Sequence, residues 1–188
     1  MFAPPVLRLR TRPDRLTGVN VVPDESIYAA RYRDIRTPAR HVWLEPFDRV
    51  ESAEAMVRAR YRRLMTDDPE LARNVLPATA DDLRLWHTAG QLRTVRAHDT
   101  VVGLLAIAPG QIEWIDTDEM NEEVISVDHT GKGYAAFAPA AWSAHIAHDP
   151  LRLLVGTIDR LNMASRKTAQ RAGRRRVLDA VFVSLGRC

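Results

Sequence analysis

The chain is poor in cysteine, in lysine and in long apolar runs, and each shortage excludes a class of protein. Cys188, the last of 188 residues, is the only cysteine. An intramolecular disulfide and a Cys-rich metal site are excluded, and with them the stapled scaffold of small secreted proteins. The longest apolar run, Thr100 to Ala108, falls far short of the roughly 20 residues that a membrane-crossing helix needs. Met1-Phe2-Ala3-Pro4-Pro5 starts neither the charged nor the apolar region of a signal peptide. The expected setting is the cytoplasm, with no membrane partner.

Lysine occurs only as Lys132 and Lys167, so arginine supplies nearly all of the 27 basic charges set against 24 acidic ones. Arginine favours bidentate contacts with phosphate and carboxylate, which suits an anionic ligand. The net charge of +3 is too small to demand nucleic acid, and no nucleic-acid partner is expected. The runs Arg58 to Arg63 and Arg171, Arg174, Arg175 and Arg176 read as solvated faces. His145 and His148 share a helix without a third ligand at suitable spacing, so no metal is expected. Trp43, Trp86, Trp114 and Trp142 fall one to an element, the pattern of packing residues, with Trp114 also able to wall a pocket.

Residues 1–40 hold several turn signals, such as Arg12-Pro13-Asp14, and read as an extension of irregular structure with short strands, packed on a domain spanning 41–188. From His41 the pattern becomes regular. A strand at 41–45 leads to a helix capped by Ser52 and then to a second helix starting near Asp81 or Asp82 and stopped by Gly90. Residues 92–97 and 100–108 form a hairpin around His98-Asp99. Pro109-Gly110 is expected to turn the chain into a strand at 112–115, and another strand runs from Glu122 to Val127. A glycine loop opens an Ala-rich helix to about Ala147, interrupted by Pro139, which removes a hydrogen bond at a cost of about 3 kcal/mol unless the helix kinks. A strand at 153–157, a helix from Asn162 to Ala172 stopped by Gly173, and a strand at 177–185 complete the chain. This order predicts an α+β domain built on one mixed, mostly antiparallel sheet flanked by helices.

The loop Thr130-Gly131-Lys132-Gly133-Tyr134-Ala135 joins a strand to a helix N-terminus. Free backbone amides and the helix dipole make such a junction an anion site. Glycines let a pyrophosphate approach the backbone, while Lys132 and Thr130 offer a charge and a hydroxyl at the rim. Taken alone, the residues also fit a plain tight turn. They fit a G-x-G-x-x-A dinucleotide fingerprint as well, with Asp149 as the ribose-binding acid, although antiparallel strands precede the loop and only about 55 residues follow it.

The loop resembles the pyrophosphate loop of the GNAT superfamily of N-acetyltransferases, Arg/Gln-x-x-Gly-x-Gly/Ala, with Gly133 and Ala135 kept and Thr130 in place of the first Arg or Gln. A second likeness lies downstream, where Asn162-Met-Ala-Ser165 opens a helix that ends in Gly173. The resemblance covers residues 41–185 and comes closest in motif to the ribosomal-protein-alanine acetyltransferase branch. It implies a GNAT-like fold and acetyl-coenzyme A as co-substrate. By the same resemblance Asn162 and the backbones of Ile125 and Val127 hold the pantetheine arm, and the loop 130–135 holds the pyrophosphate. The family's usual acid, a tyrosine four residues before the final Gly, is replaced by Ala169, which leaves Ser165 as the candidate donor to the thiolate.

Acetyl transfer requires a neutral amine and so a base with a tuned pKa. Glu113, Asp116, Asp118, Glu119, Glu122 and Glu123 cluster before the loop, with Glu123 the first candidate base and Glu122 the next. The expected activity is direct transfer of acetyl to a small-molecule or protein amine. Two other readings stay open: a non-catalytic module that binds acyl-coenzyme A, and an acetyltransferase acting on aminoacyl-tRNA. A homodimer is compatible with the sequence.

Overall fold

The computed structural model describes residues 6–36, 41–112, 114–147 and 149–185, which leaves Glu113, His148 and Cys188 outside the described residues. Strands β1 (Val6–Thr11), β2 (Val21–Arg31) and β3 (Val42–Pro46) precede three helices, α1 (Val50–Asp67), α2 (Pro69–Asn74) and α3 (Ala80–Thr88). Strands β4 (Leu92–Ala97), β5 (Thr100–Ile112) and β6 (Ile115–Ile125) follow, then α4 (Tyr134–His145), β7 (Leu153–Asp159), α5 (Met163–Arg171) and β8 (Arg175–Ser184). All eight strands share one sheet in the order β1-β8-β2-β7-β6-β5-β4-β3. Among the described residues, only β6 and β7 pair in parallel. The α+β fold with one mostly antiparallel sheet is as the strand and helix patterns led us to expect.

Local chemistry explains most element ends. His98 and Asp99 both take positive φ, 48° and 63°, the conformation that a two-residue hairpin turn requires. Thr79 and Asp82 form a reciprocal capping box at the start of α3. Asp68 caps α2 by accepting from the Leu71 amide, with Pro69 in the first turn.

Several expectations are corrected. Ser52 lies inside α1, whose N-cap is Arg49 with no side-chain cap. Pro109-Gly110 does not turn the chain. β5 runs through both residues, pairing Pro109 with Asp118 and Gly110 with Thr117, and the ladder with β6 continues to the pair Ile112–Ile115. Proline is tolerated there because bonding on the β4 side ends with the Ile107 amide donating to the Gln91 carbonyl, so beyond it β5 is bonded on one side only. β6 therefore starts seven residues ahead of the expected Glu122 and stops at Ile125. Near the N-terminus, β2 is an 11-residue strand bonded to β7 and β8, longer than the short strands anticipated there.

Alternation along β5 builds two cores. Leu104 and Ala106 pack with Ala53, Val57 and Leu83 beneath α1 and α3, whereas Leu105 and Ile107 pack with Ala138, Ala140 and Trp142 of α4. Pro139 sits buried within α4, leaving the Ala135 carbonyl without its helical donor. A third cluster joins Tyr28, Ile158 and Ala169 under α5.

Candidate functional site

The parallel ladder between β6 and β7 is only two residue pairs long, Asp118 with Leu154 and Glu119 with Val155. Past it the strands part. Arg152 pins the junction, donating to Asp118 Oδ1 and to the Thr117 carbonyl at 2.6 Å each, while the Tyr32 hydroxyl donates to Asp118 Oδ2 at 2.8 Å. A bulge at Asn121, between the pairs Ile107–Met120 and Ala106–Glu122, re-aims the following residues. Because side chains alternate, Glu122 lies on the α1 side of β6 and Glu123 on the α4 side.

A cavity of about 640 Å³ opens where the strands separate. Glu122 and Glu123 line it from β6 and Gly156 to Asp159 from β7, with Tyr61 on α1, Asn162 and Ser165 at the start of α5, and Arg174. Glu122 is buried, accepts from the Ala78 amide at 3.0 Å, and has its carboxyl pushed up by desolvation, with that hydrogen bond and Tyr61 pulling the other way. Burial, aided by the Glu122 charge, pushes the Tyr61 phenol up in turn. The Glu123 carboxyl is pushed up to about 7, chiefly by desolvation, with Arg174 opposing and Glu122 adding to the rise. Its Oε1 is sealed from solvent without a hydrogen-bond partner among the described residues.

Arg174 was expected on a solvated face, and the structure corrects this: the residue is 2% exposed. Room for it comes from Gly156, where a Cβ would stand 2.6 Å from Arg174 Nη1. Asn162 caps α5, its Oδ1 accepting from the Ser165 amide at 3.0 Å. Ala169 is fully buried against Tyr28 and Ile158, so a tyrosine at this position would require repacking that cluster.

The loop occupies a separate stretch, and neither it, Ile125 nor Val127 lines the cavity. Gly131 and Gly133 take φ of 77° and 83°, which a side chain would strain, and Gly133 is the N-cap of α4. Among the described residues, the amides of 131–135 find no acceptor. Five donors are thus presented together at a helix N-terminus. Ala135 and Tyr134 contribute such amides, while the Thr130 hydroxyl turns inward to donate to the Val127 carbonyl at 2.9 Å. Lys132 Nζ reaches the Asp128 carbonyl at 3.4 Å. Ile125 pairs with Gly103 on one edge only, and Val127 lies in a short 3₁₀ turn. Trp114 is 84% exposed and away from the cavity.

Sequence reading missed Tyr61 and Arg174. The first was absorbed into the apolar spacing of α1 and the second into an arginine run. The signal available for Arg174 was its place directly after the helix-stopping Gly173.

No family model matches the chain, and no curated protein does either. Solved structures do. The chain resembles a GNAT-family acetyltransferase from Colwellia psychrerythraea at 8% identity and a TM-score of 0.56, covering 88% of this chain and 57% of that one. An acetyltransferase of the GNAT family from Novosphingobium aromaticivorans gives 10% identity and a TM-score of 0.56 over 96% of this chain and 75% of that one. A GCN5-related glucosamine N-acetyltransferase region in a fungal multi-domain GH3 β-N-acetylglucosaminidase gives 12% and 0.53, with 88% of this chain matched to 21% of that one. The chain thus spans a little over half the length of the first of these structures. The fold is that of the GNAT acetyltransferases.

Proposed function

We propose that the protein is an acetyl-coenzyme A-dependent N-acetyltransferase acting on an amine. The observation that carries this reading is the pairing of five free amides in the loop 131–135 with parted strands that hold Glu123 at their fork. The amides suit a pyrophosphate. Gly133 keeps the approach open, and the free edge of β6 at Ile125, with Val127 and Asn162 beyond it, would hold the pantetheine arm.

Acetyl-coenzyme A supplies an activated thioester carbonyl. With its carboxyl near 7, Glu123 is part ionised at neutral pH and able to accept a proton from an ammonium. The neutral nitrogen then attacks the carbonyl carbon, the N–C bond forms and the C–S bond breaks. Of the two protons that the ammonium loses, the first goes to Glu123 and the second to the thiolate by way of Ser165. Glu122, held by the Ala78 amide, is a neighbouring charge that raises Glu123 rather than a second base. The Asn162-x-x-Ser165 start of α5 supports kinship with the ribosomal-protein-alanine branch, and a cytoplasmic setting fits a chain in which no described helix is long and apolar enough to cross a membrane.

Calorimetry with acetyl-coenzyme A tests the reading. Wild-type protein should bind it, and Gly133→Glu, whose carboxylate faces the anion and whose backbone is strained at φ 83°, should lose at least about 100-fold in affinity. Equal binding by the two proteins would remove the loop from the site. Binding without thiol release over a panel of amines would favour a regulatory acyl-coenzyme A module.

A further inference from the structure

Arg174 is a buried charge whose balancing charge, Glu123, acts on it only from beyond ion-pair distance. Among the described residues no carboxylate comes within ion-pair distance of it, and its Nε is sealed without a hydrogen-bond partner. An arrangement of this kind is unfavourable unless a ligand completes it. Its guanidinium occupies the space above β7 that a side chain at 156 would fill, and both residues line the cavity. On the other side of the fork Glu123 Oε1 is likewise sealed without a hydrogen-bond partner, and it feels Arg174 only as a charge across the gap. The other arginines of the cavity are engaged or wet: Arg8 bonds Asp24 at 2.8 Å, Arg160 lies 3.8 Å from Glu70, and Arg60 is partly exposed on α1.

One cation needing an acceptor and one carboxylate needing a donor, facing one cavity, are complementary to a ligand that carries an anion beside an ammonium. We propose that the acceptor is a free amino acid, with Arg174 taking its carboxylate and Glu123 facing its amine. The assignment of the amine as the acetylated atom rests on the transferase reading above. Polyamines bring no anion for Arg174, and a protein N-terminus or an aminoacyl ester brings a neutral carbonyl where the carboxylate belongs. Arg174 is then a specificity-determining residue.

Thiol release from acetyl-coenzyme A is measured with the twenty free amino acids and, for the best of them, with its carboxamide and its decarboxylated amine. The amino acid should exceed both analogues roughly 100-fold in kcat/KM, the scale of discrimination when a charged partner is removed from a buried group. In Arg174→Met this ratio should fall close to one through a higher KM, with acetyl-coenzyme A affinity unchanged by calorimetry, and Arg174→Lys should recover part of it. Equal use of the analogues, a ratio that survives in Arg174→Met, or no turnover of any amino acid by protein that binds acetyl-coenzyme A would each overturn the proposal. If acetyl-coenzyme A fails to bind, the transferase reading falls alone. Titration of the same amino acids into the protein then decides: binding that disappears in Arg174→Met upholds the carboxylate site, and no binding ends it. The wild-type ratio needs no variant, and Gly156→Ala, which displaces Nη1, serves if Arg174→Met does not fold.

Discussion

The two halves of the sheet are built from the same kind of strand but finished differently. Strands β3 to β6 are covered on both faces, by α1 and α3 on one and α4 on the other, and Leu104, Leu105 and Ala106 at their centre are 0% exposed. Strands β7 and β2 meet α5 on one face through Ile158 and Tyr28, β1 is exposed along nearly its whole length, and the side that looks into the cavity leaves Val22 50% exposed. Residue types follow this difference. Aliphatic side chains fill the sealed half, whereas the open half meets the cavity with Arg8, Asp24, Glu25 and Asp159. A helix omitted from one face leaves a place for a substrate, and the parted β6 and β7 mark the seam at which the sealed half, carrying Glu122 and Glu123 on its last strand, meets the open one.

The largest test of this contrast is truncation on either side of the seam. Leu105→Ala removes a fully buried side chain between tightly packed layers and should cost about 2–5 kcal/mol in urea unfolding. Phe182→Ala, on the cavity wall beside Arg8, should cost about 1 kcal/mol or less, with its main effect on acceptor KM. Equal losses of stability would mean that the cleft side is as closely packed as the sealed side.

At the seam itself, Glu123 couples stability to pH. Its folded pKa, about 7, lies above the ordinary 4.5, so the folded protein holds a proton that the unfolded chain has released between those values. Stability from this group is complete below about 4.5 and declines as pH rises through about 7, by roughly 3 kcal/mol in all. Glu123→Gln should abolish that decline, and it should also remove the rise in kcat/KM that the wild type shows as Glu123 ionises through about 7. Parallel stability curves for the two proteins from pH 4 to 8 would show that the carboxylate is solvated after all.

Local signals were legible and non-local ones were not. His98-Asp99 announced its hairpin, Gly173 its helix stop and Gly131-x-Gly133 its loop because each depends on the φ that a few adjacent residues can adopt. Pro109-Gly110 misled for the same reason. Its turn chemistry is genuine, but β6 pairing overrides it on an edge where proline costs no ladder bond. Glu123 could be picked out as an acid near the loop. The place of Arg174 after Gly173 was legible but its burial was not, since that depends on Gly156, eighteen positions earlier, and on a strand order that no short window encodes. The same holds for β2, whose place between β7 and β8 joins residues more than 120 positions apart.

The smallest effect is expected where the sealed half touches the seam. Thr79 caps α3 through a reciprocal bond with Asp82, and the preceding residue, Ala78, gives its amide to Glu122 at 3.0 Å. Thr79→Ala removes one side-chain acceptor from the first turn and should cost about 1 kcal/mol. Ala78 lies before the cap, so its bond to Glu122 does not depend on the Thr79 hydroxyl, and the pH profile of the reaction should keep its midpoint near 7. If the midpoint moves while unfolding shows only the small loss, fraying of α3 has reached Glu122 and through it Glu123. The two halves would then be electrostatically joined across β6 rather than merely adjacent.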